Sequence, residues 1–186
     1  MKKRPAVFLD RDGTLIHDRP GFYLRRPDQV RLYLRACEAL KRLRRAGFKL
    51  VIVSNQSGIG RGFLDRAMLG RIHRRLKAEL RRRGASLDGI FFCPHAPTDG
   101  CRCRKPSPLL ALRAARKLRL DLRGSYFVGD KKADVDMARA LGIPSVHLRT
   151  GHGRDERERY GSKLGATHRA ASLLSAANWI IRRERG

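Results

Sequence analysis

Residues 6–14 read Ala6-Val7-Phe8-Leu9-Asp10-Arg11-Asp12-Gly13-Thr14. Four apolar residues, enough for a buried strand, stop at two carboxylates that are one residue apart. Alternate side chains of a strand project to the same side, so Asp10 and Asp12 are predicted to face one point beyond the strand's end. Two carboxylates there repel each other unless a cation or a shared proton joins them. An ordinary turn at a solvated strand end is the alternative, because Asp-Gly dipeptides mark turns.

The composition indicates one globular domain with a large positive charge. A chain of 186 residues is long enough for one well-cored domain, and we predict that this domain spans residues 1–186. The sequence has 43 Lys and Arg against 17 Asp and Glu, a net charge of +26. A chain this basic attracts polyanions at low salt. The basic residues are spread over the predicted helices, which favours solvated helix faces over a dedicated nucleic-acid surface.

The sequence contains no apolar run near the roughly 18 residues of a membrane span, and its first five residues lack the apolar segment of a signal peptide. We therefore expect a cytoplasmic protein without a membrane partner, and a monomer. Three of the four cysteines lie within eleven residues. Without a secretory signal, such clustering favours a metal site over disulfides.

Strand and helix patterns alternate along the chain. After the first strand, apolar β-type runs occur at 48–53, 90–92, 125–128 and 144–148, with a short one near 166–168. Helical patterns occupy 35–46, 65–83, 107–118, 134–141 and 173–181. Residues 15–34 are predicted to form a loop or small hairpin, and 153–165 a loop. This alternation predicts an α/β fold, a Rossmann-like three-layer sandwich around a mainly parallel sheet.

Polar side chains follow three of the predicted strands at the point where each strand ends. The first strand ends at Asp10, the second at Ser54 and Asn55, and the fourth at Asp130, with Asp134 soon after. Ligands of such sheets bind beyond the carboxyl ends of the strands. A solvated turn would explain one carboxylate pair but not polar groups at three strand ends, so the sequence predicts a functional site there.

The residue types predict phosphoryl chemistry at this site. Several carboxylates around one point suit Mg²⁺, which brings in phosphate oxygens. The free oxygen of Asp10 is then a nucleophile that can form an aspartyl-phosphate. Asp12 can protonate the leaving alkoxide and later deprotonate the attacking water. The transferring phosphoryl group needs donors and a cation around it, for which we assign the Ser54 hydroxyl and Lys105.

Four short motifs resemble those of the haloacid dehalogenase superfamily of phosphatases, in the same order. They are D-R-D-G-T at 10–14, S-N-Q-S at 54–57, R-K-P at 104–106 and G-D-K-K-A-D at 129–134. The resemblance implies that Asp10 is the nucleophile and Asp12 the general acid and base. It also implies that Mg²⁺ is held by the Asp10 side chain, the Asp12 carbonyl and Asp130, that Ser54 and Lys105 bind the phosphoryl group, and that Asp134 positions Lys105.

A C-x-H-x5-C-x-C pattern predicts a zinc site in the loop at 93–103, formed by Cys93, His95, Cys101 and Cys103. Three thiolates and one imidazole are enough for a closed tetrahedral site, so the predicted role of Zn²⁺ is structural. A single disulfide with one spare thiol is the alternative. The zinc would fold the loop that carries Arg104 and Lys105 into the site.

A zinc loop just before R-K-P is similar to that of two phosphatase families, which act on D-glycero-D-manno-heptose 1,7-bisphosphate and on histidinol phosphate. The stretches 54–62 and 148–151 resemble the heptose family, whereas the five-residue gap between the ligand pairs resembles the histidinol family. We predict removal of the 7-phosphate of the heptose bisphosphate. Histidinol phosphate or a phosphorylated nucleic-acid end is the alternative substrate, and a basic zinc-stapled nucleic-acid-binding module is the non-enzyme alternative.

The spacing of the motifs leaves no room for a large cap domain, so we expect a minimal cap and an open site. The residues predicted to contact a sugar or its second phosphate are Asn55, Arg104, Lys131, Gly21, Phe22 and Tyr23. Arg104 and Lys131 offer positive charge beside the reacting groups, and 21–23 belongs to a loop near the first strand.

Overall fold

A computed structural model describes residues 3–18 and 21–185 of the chain. Residues 1–2, 19–20 and 186 of the predicted domain, and with them part of the predicted loop at 15–34, lie outside the described residues. The strands are β1 (Arg4–Leu9), β2 (Lys49–Asn55), β3 (Gly89–Cys93), β4 (Leu120–Gly129), β5 (Ser145–Leu148) and β6 (His168–Ala170). The helices are α1 (Ala36–Arg45), α2 (Arg66–Arg82), α3 (Leu109–Leu118), α4 (Lys132–Ala140), α5 (Gly153–Tyr160) and α6 (Leu173–Arg183).

The six strands form one sheet in the order β3-β2-β1-β4-β5-β6, and every neighbouring pair is parallel. Alternate residues of β1 enter two separate cores. Val7 and Leu9 belong to a core with buried residues of α1, α2 and α6. Ala6 and Phe8 belong to a second core, with buried residues of α3 and α4. Helices therefore cover both faces of the sheet, and the predicted three-layer α/β fold is confirmed.

Helix α2 illustrates how the sequence sets local structure. Asp65 has extended backbone angles and its carboxylate accepts a 2.6 Å hydrogen bond from the backbone N–H of Met68, as a helix N-cap does. Leu69, Ile72 and Leu76 are fully buried at helical spacing. The result is a long helix whose inner face, with Ile72 and Leu76, lies in the same core as Val7 and Leu9.

The prediction of a loop over 153–165 is wrong, because α5 and a 3-10 turn occupy this segment. Gly153 is the one buried residue of α5, so the segment has no apolar stripe to reveal a helix. Its charges suit one instead: Asp155 and Glu156 lie in the first turn, and Arg157 and Arg159 in the last. These positions complement the helix dipole.

The strand order places the polar strand ends beside one another. β1 lies between β2 and β4, so Asp10, Ser54 and Asp130 leave neighbouring strands at the same edge of the sheet. None of the helices in the described parts of the chain is both long and apolar enough to cross a membrane.

Candidate active site

Lys105 lies at the centre of the polar strand ends. Its Nζ is 2.9 Å from Asp10 Oδ1 and 2.6 Å from Asp134 Oδ1, and it donates a 3.0 Å hydrogen bond to the Val53 carbonyl. Burial alone would lower the pKa of Lys105, but Asp10 and Asp134 outweigh it and raise the pKa above its ordinary value. The structure therefore holds a buried ammonium group against the predicted nucleophile.

Asn55 holds the backbone of Lys105 in place. Its Oδ1 accepts a 3.0 Å hydrogen bond from the Lys105 N–H, and its Nδ2 donates a 3.3 Å bond to the Lys105 carbonyl. We predicted Asn55 as a substrate-binding residue. The structure places it at the pocket wall with both polar atoms engaged by Lys105, a positioning contact that the sequence pattern did not reveal.

Carboxylate oxygens of Asp10, Asp130 and Asp134 lie within 4.8 Å of one another. Asp130 is fully buried; its Oδ2 accepts a 2.8 Å bond from the His152 N–H, and its Oδ1 has no hydrogen-bond partner among the described residues. Burial raises the pKa of Asp130 well above its ordinary value; Lys131 opposes this rise, and the carboxylates of Asp10 and Asp134 add to it. An unpartnered buried carboxylate oxygen in such a cluster fits a divalent cation with oxygen ligands.

Asp134 has both oxygens occupied, one by Lys105 and the other by a 3.0 Å bond from the Lys131 N–H. Asp10 and Asp130 are therefore the cluster members better suited to a cation. The backbone at Gly13, where φ is +79°, lies close to Asp130. A Cβ at this position would meet the Asp130 carboxylate at 2.2 Å. The glycine of D-R-D-G-T therefore lets the β1 loop approach this carboxylate.

Asp12 is clamped by Arg11 and Gln56. Arg11 donates from Nε to Asp12 Oδ1 at 3.0 Å and from a terminal nitrogen to Oδ2 at 2.8 Å. Gln56 Nε2 lies 2.9 Å from both Asp12 Oδ2 and Ser54 Oγ, so one amide joins two predicted catalytic residues. Burial would raise the pKa of Asp12, but Arg11, aided by Gln56, outweighs it and lowers the pKa of this carboxyl.

The predictions assigned no role to Arg11 or Gln56. Both lie inside the recognised motifs: Arg11 stands between the two aspartates of D-R-D-G-T, and Gln56 stands two residues after Ser54 in S-N-Q-S. Their positions in the motifs were the available signal. Their side-chain partners become visible only when the strands are assembled.

The four predicted zinc ligands form one cluster, with ligand atoms within 4.8 Å of one another. Cys93 Sγ is 3.5 Å from Cys101 Sγ, and Cys103 Sγ is 3.3 Å from His95 Nδ1. A disulfide needs an S–S distance of about 2.05 Å. Bonds of about 2.3 Å to one tetrahedral ion would instead separate sulfurs by roughly 3.7 Å, so the donor set fits zinc.

The loop at 93–103, which carries the predicted zinc ligands, packs against the segment that follows β2. Gln56 donates its backbone N–H to the Cys93 carbonyl at 2.7 Å, and Gly60 donates its own to the Pro94 carbonyl at 2.8 Å. A Cβ on Gly60 would meet the Ala96 nitrogen at 2.4 Å, so glycine permits this close approach. The loop and the S-N-Q-S segment are thus one packed unit.

A cavity of about 290 Å³ opens beside these groups. All six predicted substrate contacts line it: Gly21, Phe22, Tyr23, Asn55, Arg104 and Lys131. Two further lining residues, Asp18 and His152, were missed because both lie in loops without a motif. Asp18 Oδ2 lies 3.4 Å from Lys131 Nζ and 3.3 Å from His152 Nε2. The cavity therefore offers three Lys or Arg side chains (Arg11, Arg104 and Lys131), an aromatic wall and the carboxylates of Asp12 and Asp18.

The chain is similar to known phosphatases in sequence and in structure. Residues 102–176 match the family model described as HAD-hydrolase-like. The chain is 38% identical over 150 residues to the D-glycero-beta-D-manno-heptose-1,7-bisphosphate 7-phosphatase of Pseudomonas aeruginosa, covering 81% of this chain and 84% of the relative. It is 39% identical over 158 residues to the enzyme of the same name from Escherichia coli strain K12, covering 81% and 82%.

A crystal structure of D,D-heptose 1,7-bisphosphate phosphatase from B. bronchiseptica, complexed with magnesium and phosphate, matches with a TM-score of 0.88 and 34% identity. The match covers 96% of this chain and 99% of that one. High coverage in both directions means that the whole architecture is shared. On its fold and its relatives, this chain belongs to the haloacid dehalogenase-like phosphatase family and is a phosphatase.

Proposed function

We propose that this phosphatase removes the 7-phosphate of D-glycero-D-manno-heptose 1,7-bisphosphate, with Mg²⁺ and through an aspartyl-phosphate on Asp10. The contact of Asp10 with the buried ammonium of Lys105 carries the proposal, because a nucleophilic carboxylate beside a fixed cation suits attack on a phosphoryl group. The names of the curated relatives support the substrate and its β anomer.

The Asp10 and Asp130 side chains, with the Asp12 carbonyl, are the proposed ligands of Mg²⁺. The unpartnered buried Oδ1 of Asp130 and the magnesium in the similar B. bronchiseptica structure support this assignment. When bound, the ion would offset the charge of the phosphoryl oxygens and of the carboxylate cluster. Zn²⁺ at the three cysteines and His95 is proposed to be structural, since four protein ligands leave no open position.

In the proposed first step, a carboxylate oxygen of Asp10 forms a bond to phosphorus as the bond from phosphorus to the sugar oxygen breaks. The negative charge of the bound phosphate disfavours the ionised form of Asp12, and the leaving alkoxide takes the proton that the Asp12 carboxyl then carries. In the second step, Asp12 takes a proton from water, whose oxygen bonds to phosphorus and releases Asp10. Lys105, anchored on Asp134, and Ser54 stabilise charge on the phosphoryl oxygens.

The cavity suits a sugar with a second phosphate. Arg104 and Lys131 line it and supply positive charge for an anionic group, while Phe22 and Tyr23 offer apolar surface to a sugar face. Arg104 also donates a 3.4 Å hydrogen bond to the His95 carbonyl. Its reach into the cavity therefore depends on the zinc loop.

Phosphate release by the purified, zinc-loaded protein with Mg²⁺ tests the proposal. The substrates are the α and β heptose 1,7-bisphosphates, histidinol phosphate and 3′- or 5′-phosphorylated oligonucleotides. The β bisphosphate should have the highest kcat/KM, and Asp10→Asn should lower turnover by orders of magnitude. Preference for histidinol phosphate, or an oligonucleotide activity that collapses between low and physiological salt, would replace the proposed substrate. Full turnover by Asp10→Asn would overturn the mechanism.

The remaining predictions on organisation stay proposals. We propose a single domain over residues 1–186 that acts as a monomer in the cytoplasm, with a small phosphorylated sugar as its partner. A nucleic-acid partner is the less favoured alternative, because the basic residues behind the net charge of +26 are spread over the helices and are not gathered in one arm or tail.

A further inference from the structure

Arg11 is the largest of the fully buried side chains in the described residues, with 1% of its surface exposed. A guanidinium carries five N–H donors in a fixed plane and stays charged, so burying it requires acceptors in matching positions. Two of its nitrogens face Asp12 at 3.0 and 2.8 Å. The third lies 3.2 Å from Nε2 of His73.

His73 comes from the middle of α2, 62 residues away in the sequence, and lies outside the catalytic motifs. To accept from Arg11, its Nε2 must be unprotonated, which puts the ring proton on Nδ1. Burial and the neighbouring charge of Arg11 lower the pKa of His73 to about 3, which keeps the ring neutral. The ring also makes an edge contact with Phe92 of β3, with centroids 5.6 Å apart, so its own orientation is fixed.

The contacts run from His73 through Arg11 to Asp12, the proposed general acid. Arg11 meets both oxygens of Asp12, and a planar fork meeting a planar carboxylate fixes its orientation as well as its position. If the third nitrogen of Arg11 loses its acceptor, a buried N–H is left unpaired and the guanidinium must shift to find another. Such a shift changes where the Asp12 carboxyl lies, because Gln56 holds only its Oδ2 and Arg11 alone holds its Oδ1.

We propose that His73 is a positioning residue which, through Arg11, aims the Asp12 carboxyl at the oxygen of the leaving group. This inference rests on the proposed role of Asp12 as general acid. His73 does not touch the substrate, and its effect is confined to the step in which the leaving oxygen receives its proton.

Leaving-group dependence tests this role. The variants are His73→Leu, which removes the acceptor, and His73→Gln, which supplies an amide oxygen. His168→Gln is the matched control, since His168 stacks on Trp179 at 4.5 Å, away from the catalytic motifs. Each is assayed as the zinc-loaded protein with Mg²⁺ on the β heptose bisphosphate, whose alkoxide needs the proton, and on p-nitrophenyl phosphate, whose phenolate leaves without it.

His73→Leu should lower kcat/KM about tenfold for the bisphosphate and less than twofold for p-nitrophenyl phosphate, since misplacement of a catalytic group costs rate. His73→Gln should recover most of the loss, and His168→Gln should match the parent. Equal losses on both substrates, as a smaller folded fraction would give, or no loss on either, would overturn the inference. Asp12→Asn separates the two proposals. If Asp12→Asn does not lose more kcat/KM for the bisphosphate than for p-nitrophenyl phosphate, the proposed role of Asp12 fails. If Asp12→Asn shows this selective loss and His73→Leu does not, only the proposed role of His73 fails.

Discussion

Replacing Lys105 with methionine should destabilise the protein strongly. The substitution keeps an apolar chain of similar length but removes the charge from a group whose side chain is 3% exposed, opposite Asp10 at 5% and Asp134 at 2%. Two buried carboxylates then lose their cation. Removing one partner of a buried ion pair costs about 3–5 kcal/mol, because the charge left behind is uncompensated.

The loss is measured by denaturant and thermal unfolding of the zinc-loaded protein without Mg²⁺. For a chain of this length each 1 kcal/mol lowers Tm by about 2–4 °C, so we expect a fall of roughly 6–20 °C. The matched control is the double variant Lys105→Met with Asp134→Asn. It removes one of the two unpaired carboxylates and should be more stable than Lys105→Met by about 1 kcal/mol or more.

Proton linkage gives a second check on the Lys105→Met variant. Burial raises the pKa of Asp134 even with Lys105 present, and losing that cation raises it further. A carboxyl whose pKa is higher in the folded than in the unfolded protein lowers stability as pH rises. The deficit of the variant should therefore shrink as pH falls from 7 towards the ordinary Asp pKa of 3.8. A deficit below about 1 kcal/mol at pH 7, or one independent of Asp134→Asn, would refute the reasoning.

Four further outcomes are expected. Gly13→Ala should weaken Mg²⁺ activation at least tenfold, since its Cβ would meet the Asp130 carboxylate, while Gly142→Ala, at a similar φ of +66° with nothing within 4 Å, should keep it in a Mg²⁺ titration. Cys101→Ser should lose zinc by metal analysis and activity with it; full activity without zinc would contradict the structural role. Arg104→Ala should raise KM for the bisphosphate more than for a sugar monophosphate, and equal effects would exclude a second-phosphate contact. Asp88→Asn should lower the free energy of unfolding by about 1–3 kcal/mol at pH 7. Burial would raise the pKa of Asp88, but the Leu50 N–H, Lys49 and Arg44 outweigh it and lower that pKa. The stability advantage of the parent over the variant, measured by urea unfolding, should therefore vanish as pH falls below 3.8.

The parts of the site that could be predicted from sequence are those that a short, local sequence pattern determines. An apolar run that ends at Asp10 gives both a strand and the position of its carboxylate, and parallel topology brings Ser54 and Asp130 to the same edge. The zinc ligands are close in sequence, so their spacing alone indicates a shared ion. The confirmed fold class and family rest on these signals.

The remaining features depend on contacts that no local pattern encodes. The neutral ring of His73 meets Arg11 across 62 residues, and the turn at Gly13 meets Asp130 across a still longer separation. A histidine on a helix face, or a glycine in a turn, has many more common explanations. Helix α5 was not predicted for a different reason: it has no apolar stripe, and only the placement of its charges suits a helix.

The hydrogen bond from the Gln56 N–H to the Cys93 carbonyl links the proposed zinc cluster to a residue that contacts the proposed acid and base, Asp12. The side chain of the same Gln56 spans Ser54 and Asp12, so Gln56 contacts a proposed zinc ligand through its backbone and Asp12 through its side-chain amide. With zinc bound as proposed, oxidation of the cysteine thiolates would expel the ion and disturb the backbone that Gln56 contacts, which would slow the proposed reaction. The redox state of three cysteines would then control the rate of a reaction in which none of them takes part.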